Sequence, residues 1–237
     1  MDGDPALNPA LDHDRIAQAY ARDGRVHIPA VLTPESANRI HRCLDAETDF
    51  SVIAKGESGY MRLRPGVTLD AEERARLMQK AYAQAREGFY YVYDNHPMSN
   101  DGEPYPDPAH YLAAVTRFLN SAPFLDFARR VTGDARIAFA EAQATRYRPG
   151  HFLNQHDDSH GEHGRIAAYV LNMTPRWRVD WGGSLLFCDR PGHIAEGYVP
   201  AFNALNLLRV PQRHLVGFVS PFAGAPRYAV TGWLRFR

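Results

Sequence analysis

Tyr147-Arg-Pro-Gly-His151-Phe-Leu-Asn-Gln-His156-Asp157-Asp158 is the stretch that decides how this chain is read. It ends in a histidine and a carboxylate two residues apart. On an extended strand side chains alternate faces, so His156 and Asp158 are expected to point one way and Asp157 the other. An imidazole nitrogen and a carboxylate oxygen side by side supply two of the three ligands of a 2-His-1-carboxylate metal site, which leaves coordination positions open. Such a pair arises often by chance in a chain with 11 histidines, so the site needs a third ligand elsewhere.

That ligand is offered by His214 in Gln212-Arg-His-Leu-Val-Gly-Phe-Val-Ser220, at the head of an apolar run that reads as a buried strand. A turn rich in Pro and Gly, Ser220 to Pro226, leads into Arg227-Tyr-Ala-Val-Thr-Gly-Trp-Leu-Arg-Phe-Arg237, a second strand. The short connection predicts that the two pair as an antiparallel hairpin. On the second strand Arg227, Ala229, Thr231 and Trp233 share a face. Folding back near Ala223 sets Thr231 to Trp233 beside His214 and Arg227 several residues deeper. A metal ligand near the mouth and a guanidinium at the far end of one pocket suit a small dicarboxylate.

Four histidines, 151, 156, 160 and 163, crowd this region. His160 and His163 fall in a polar Gly-containing stretch that reads as a solvated loop, and His151 has the opposite parity to His156. His193, in Pro-Gly-His, reads as a surface turn.

The length, 237 residues, suits one domain with a full-sized core. Hydrophobic residues are 45% and charged residues 23%, as in soluble globular proteins. Zero net charge recommends neither nucleic acid nor an anionic membrane as partner. Of the 27 basic residues only Lys55 and Lys80 are lysines, leaving 25 arginines. Cys43 and Cys188 give no disulfide framework or zinc-finger spacing. The N-terminus lacks the basic and apolar regions of a signal peptide, and no run is long enough to span a membrane. A cytoplasmic location is therefore expected.

Helices are predicted over Asp14–Asp23, stopped by Gly24, and from Thr33-Pro34-Glu35 to about Ala46. Others follow over Thr68–Arg86, Asp107–Leu119 and Pro123–Thr132, the last ended by Gly133. Short strands are expected at Arg25–Pro29, Phe50–Lys55 and Tyr60–Arg64. The aromatic run Gly88 to Met98 reads as a core strand or, with the loop Ser99–Pro108, as a wall over a substrate. From Arg136 onward about eight short strands alternate with turns, which suits a jelly roll. The expected fold is α+β: a double-stranded β-helix (jelly-roll) core, 136–237, with N-terminal helices, 1–135, buttressing one sheet as part of a single domain, 1–237.

From about Tyr147 to Phe236 the chain resembles the Fe(II)- and 2-oxoglutarate-dependent dioxygenases, and among them the prolyl-hydroxylase-like branch. The ordered pattern is Tyr147…Gly150…His156-x-Asp158, then Arg165…Tyr169-Val-Leu-Asn172, Trp181-Gly-Gly-Ser-Leu185, Pro200-x-Phe-Asn203, His214, and Arg227-Tyr-Ala-Val-Thr-Gly-Trp233. The resemblance implies His156, Asp158 and His214 as catalytic iron ligands and Arg227 as anchor for the distal carboxylate of 2-oxoglutarate. Tyr147 would add a hydroxyl to that carboxylate, Leu185 would wall the cosubstrate and Trp233 would lie near the metal. It implies Fe(II), 2-oxoglutarate and dioxygen as reactants, with ascorbate as reductant. Some relatives use lysine as the anchor, but no lysine follows Lys80.

Two departures from the pattern bear on this. Ala229 stands where many relatives carry serine, though prolyl hydroxylases ending in Arg-Tyr-Ala share it. Asp158 is kept where related halogenases have a small residue, which favours hydroxylation. The expected substrate is a prolyl residue in a peptide or protein. A small-molecule hydroxylase is the alternative within the class, and a non-catalytic cupin-like metal-binding or sensor module the alternative outside it.

Overall fold

The computed structural model describes residues 3–56, 59–63, 69–100, 102–159, 164–189 and 192–236. Its helices are α1 His13–Asp23, α2 Pro34–Arg42, α3 Ala71–Glu87, α4 Tyr111–Leu119 and α5 Ala122–Thr132. In the first half the strands are β1 Arg25–Pro29, β2 Ser51–Gly56, β3 Gly59–Arg62 and β4 Tyr91–Ser99. The second half adds β5 Phe139–Ala140, β6 Ala142–Tyr147, β7 Phe152–His156, β8 Arg165–Asn172, β9 Leu185–Cys188, β10 Ile194–Tyr198, β11 Ala204–Arg209, β12 His214–Val216 and β13 Arg227–Arg235.

The helix ends follow local chemistry. Thr33 accepts from the Ser36 amide with Pro34 in the first turn, and Asp70 forms a capping box with Glu73. Gly24 and Gly133 close α1 and α5 in the left-handed conformation. Beyond Arg42, α2 widens into a π turn, Cys43–Glu47, which carries helical structure to the predicted end.

The strands run antiparallel in the order β1-β11-β8-β13-β6-β4-β7-β12-β9-β10, with β2 and β3 added beyond β4. β4 pairs with both β6 and β7, so the sheet turns a corner there and wraps into a nearly closed barrel. This is the jelly-roll core. One wall, β1-β11-β8-β13-β6, carries α1, α2, α4 and α5 on its outer face, while α3 packs on β4 and its neighbours.

Alternation sorts that wall's side chains. Tyr228, Val230 and Leu234 of β13, Tyr169 and Leu171 of β8, and Leu205 and Leu207 of β11 pack outward against Ile40, Leu112, Leu119 and Phe124. Burying this apolar surface is the main reason the helices stay docked. Arg227, Thr231 and Trp233, on the opposite parity of β13, line the cavity between the walls.

One expectation fails. β12 and β13 form no hairpin: β12 pairs with β7 and β9, and β13 with β5, β6 and β8. The intervening backbone is itself hydrogen-bonded to the near wall, through Gly217 N to Ser184 O, Gly183 N to Phe218 O and Val219 N to His151 O. It then crosses to the far wall. His214 and Arg227 therefore face each other across the barrel rather than along one ladder.

Candidate metal centre and cosubstrate pocket

β7 and β12 place His156 and His214 directly opposite one another. Their ring centroids lie 4.2 Å apart. Asp158 Oδ1 sits 3.6 Å from His156 Nε2, and Asp158 Oδ2 3.6 Å from His214 Nε2. One nitrogen or oxygen from each residue falls within 4.8 Å of the others, the spacing of donor atoms gathered around one cation.

The backbone delivers Asp158 by a route other than the one expected. β7 ends at His156, and Asp158 lies beyond it with φ +62°, in the left-handed region that Asp and Asn tolerate better than most residues. Asp157 supports the turn, its Oδ1 accepting from the Ser159 amide and hydroxyl. Asp158, not Asp157, still joins His156, but a turn brings it there instead of strand alternation.

Both imidazoles are oriented through the ring nitrogen away from the centre. His156 Nδ1 lies 2.9 Å from Asn154 O, and His214 Nδ1 2.8 Å from Gln212 O. A carbonyl oxygen only accepts, so Nδ1 carries the hydrogen and each Nε2 lone pair is left for a metal. Burial, and then proximity to His156, lowers the His214 pKa, with Asp158 opposing. The neutral, ligating form is favoured. Two imidazoles and one carboxylate, with no fourth protein ligand gathered among the described residues, fit a non-haem iron site with open positions.

The triad opens into a cavity of about 760 Å³. At its floor Arg227 and Tyr147 are directly opposed on β13 and β6, with the guanidinium carbon 5.0 Å from the centre of the Tyr147 ring. Arg227 is 2% exposed, and its Nε is buried without a hydrogen-bond partner. Burial lowers its pKa. The Tyr147 ring stacks on Tyr93 at 4.9 Å, and burial raises its phenol well above the ordinary value, so the hydroxyl remains a donor. A buried guanidinium without a counter-charge is costly. A carboxylate entering from the cavity would remove that cost, so the floor suits the far end of a diacid.

Leu185 and Trp233 also line the cavity. Leu185 is placed by Gly182, whose φ of +69° brings it so near Phe218 O that a Cβ would sit 2.0 Å away. Gly150 plays a similar part between β6 and β7: at φ +92°, a Cβ there would approach the Tyr82 hydroxyl to 2.6 Å. The rim includes Phe89, Gln155 and Arg213, all exposed, and Arg165.

Other histidines stand apart from the triad. His151 is buried near Asp94, which pairs with Arg146 and Arg148. The Arg148 amide donates to His151 Nδ1, and desolvation lowers the His151 pKa to about 4. His193 pairs with Asp189 on the surface. His160 and His163 lie outside the described residues. The aromatic run is a core strand, the first of its two expected readings, and the Tyr91 and Tyr93 rings line the cavity wall. The loop Ser99–Pro108 contributes nothing to that wall among its described residues. Gln143, Arg165 and Arg213 also line the cavity without having been assigned roles from sequence.

Residues 142–235 match the family described as the 2OG-Fe(II) oxygenase superfamily. A prolyl-4-hydroxylase from Pseudomonas putida shares 16% identity at a TM-score of 0.59, over 95% of this chain and 99% of that one. A Trichoplax adhaerens prolyl hydroxylase, solved with a hypoxia-inducible-factor peptide, gives 0.61 at 16% identity, over 94% and 89% of the two chains. The α-ketoglutarate-dependent epimerase SnoN of nogalamycin biosynthesis gives 0.57 at 14%, over 97% and 85%. No curated protein sequence gives a significant match. Residues 142–235 thus match a 2OG-Fe(II) oxygenase domain, and the His156, Asp158 and His214 cluster fits that family's cofactors, Fe(II) and 2-oxoglutarate. No described helix is long and apolar enough to cross a membrane.

Proposed function

We propose that this protein hydroxylates an unactivated C–H, with a prolyl residue of a peptide or protein as substrate. The observation that carries the proposal is one cavity with a 2-His-1-carboxylate triad at one end and an uncompensated guanidinium at the other. His156, Asp158 and His214 hold iron. Arg227, aided by the Tyr147 hydroxyl, receives the distal carboxylate of 2-oxoglutarate. Leu185 walls the cosubstrate, and Trp233 packs near the metal. Bound iron and 2-oxoglutarate supply the oxidising chemistry, coupling reduction of dioxygen to decarboxylation of the cosubstrate to succinate. The protein's share is orientation: imidazoles fixed through their Nδ1–H groups, a buried guanidinium that would receive the far carboxylate, and apolar walls that would exclude water.

Both halves of the chain contribute to one core, from Tyr20 to Leu234, which supports residues 1–237 acting as one unit. A cytoplasmic setting with ascorbate as reductant belongs to the same reading. The likeness to SnoN, which acts in nogalamycin biosynthesis, favours a small-molecule substrate as the second reading.

Anaerobic protein given Fe(II) and 2-oxoglutarate should develop a visible charge-transfer band. Under air, a proline-containing peptide should stimulate succinate formation. No band would defeat the oxygenase assignment. A band with stimulation by metabolites alone would move the substrate to the small-molecule reading.

A further inference from the structure

We infer that the substrate of this cavity carries a carboxylate, received at the rim by Arg213 and Arg165. This rests on the oxygenase reading above and narrows its substrate class. The described lining contains three guanidinium groups, Arg165, Arg213 and Arg227, and two carboxylates, Asp157 and Asp158. One positive charge remains. A divalent metal and a doubly charged diacid cancel one another, so the loaded site keeps that excess. Arg227 is committed to the diacid, whereas the two rim arginines have no such assignment.

Arg165 is held stiffly. Its guanidinium lies over the Trp233 indole, 3.7 Å from the ring centre, and Nη1 donates to Asp158 O at 3.2 Å. Its Nε is buried without a partner. A stacked planar fork with unused donor capacity is prepared for a planar anion. Arg213 immediately precedes His214 and also lines the cavity. Its carbonyl accepts from the Cys188 amide, which fixes its backbone, while its exposed guanidinium pairs with no acid among the described residues. Asp157 is no substitute partner, since it braces its own turn through Ser159.

An exposed arginine alone would be a solvated surface residue. Here two line the cavity with the metal ligands, and the charge count of the described lining is unbalanced in the same sense. A carboxylate binding at this rim would lie beside the oxidising centre. It could be the free acid of a small molecule or chain terminus, or an acidic side chain next to the target residue.

The test uses matched acid and amide probes with anaerobic protein loaded with Fe(II) and 2-oxoglutarate. One arm compares N-acetyl-L-proline with its amide; the other compares capped Ala-Pro-Glu with capped Ala-Pro-Gln. Calorimetry should show the acid binding at least about tenfold tighter in one arm, the worth of one charge-assisted hydrogen bond. The arm that responds identifies the source of the carboxylate. Arg213→Gln should erase the preference without lowering the melting temperature. Arg165→Lys, which keeps charge but loses the stacked fork, should keep only part of it. Equal binding of acids and amides, no binding in either arm, or a preference untouched by Arg213→Gln would overturn the inference. Should Arg165→Lys fail to fold, Arg213→Gln decides alone. If the charge-transfer band forms and no acid preference appears, only this inference fails; if no band forms, the underlying oxygenase reading fails.

Discussion

The two ends of the cavity are built by opposite means. At the metal end, three separate pieces converge: the last residue of one strand, a left-handed turn residue and the first residue of another strand. At the floor, Arg227 and Tyr147 face each other within a single ladder, both almost wholly buried. The metal end depends on chain crossings. The floor is built within one regular ladder and holds a buried charge that the apo fold would be better off without.

Replacing Asp158 gives the largest expected effect. Asp158→Asn keeps a residue tolerant of the left-handed turn but removes the charge, and Fe(II) affinity should fall by more than about a hundredfold. Asp157→Asn, which can still accept from Ser159, should leave iron binding intact. Iron titration of both variants checks this, and the reverse pattern would mean that Asp157 is the ligand.

At the floor, Arg227→Met should weaken 2-oxoglutarate on the order of a hundredfold, the loss of a two-pronged charged contact. The apo melting temperature should hold steady or rise, because a buried unpaired charge is gone. A marked drop in melting temperature would show that Arg227 is a structural residue instead.

His151, in the β6–β7 connection, tests whether the scaffold is sensitive to acid. Its folded pKa is depressed to about 4, so between there and the usual histidine value near 6.5 the unfolded chain holds one extra proton. Stability should therefore fall as the pH drops through that window, by roughly 3 kcal/mol in all. His151→Asn should flatten the slope by about one proton in urea titrations across this range. An unchanged slope would place the acid sensitivity elsewhere. The smallest effect is expected from Tyr147→Phe: 2-oxoglutarate about tenfold weaker, by calorimetry, with iron binding unaltered.

Local chemistry made much of this legible in the sequence. Alternation placed Arg227, Thr231 and Trp233 on one face of β13, and caps at Thr33, Gly24 and Gly133 marked helix ends. Asp158 was paired with His156 for a reason that does not apply, because a positive φ after the strand turns the side chain to where alternation would have put it. The hairpin expected between β12 and β13 was wrong for a related reason. A segment rich in Gly and Pro announces a change of direction, but its composition does not say which wall the chain reaches next. Arg213 had no local signature among 25 arginines; only its place beside the triad distinguishes it.

The opposed Arg227 and Tyr147 leave the pocket a blind alley. Leu185, Val216 and Val219 are also buried around that end. Any diacid must travel past the triad to get there, and a molecule seated at the rim would block its way. Steady-state kinetics should therefore be compulsory-order, with 2-oxoglutarate loading first and succinate departing only after the oxidised product has cleared the entrance.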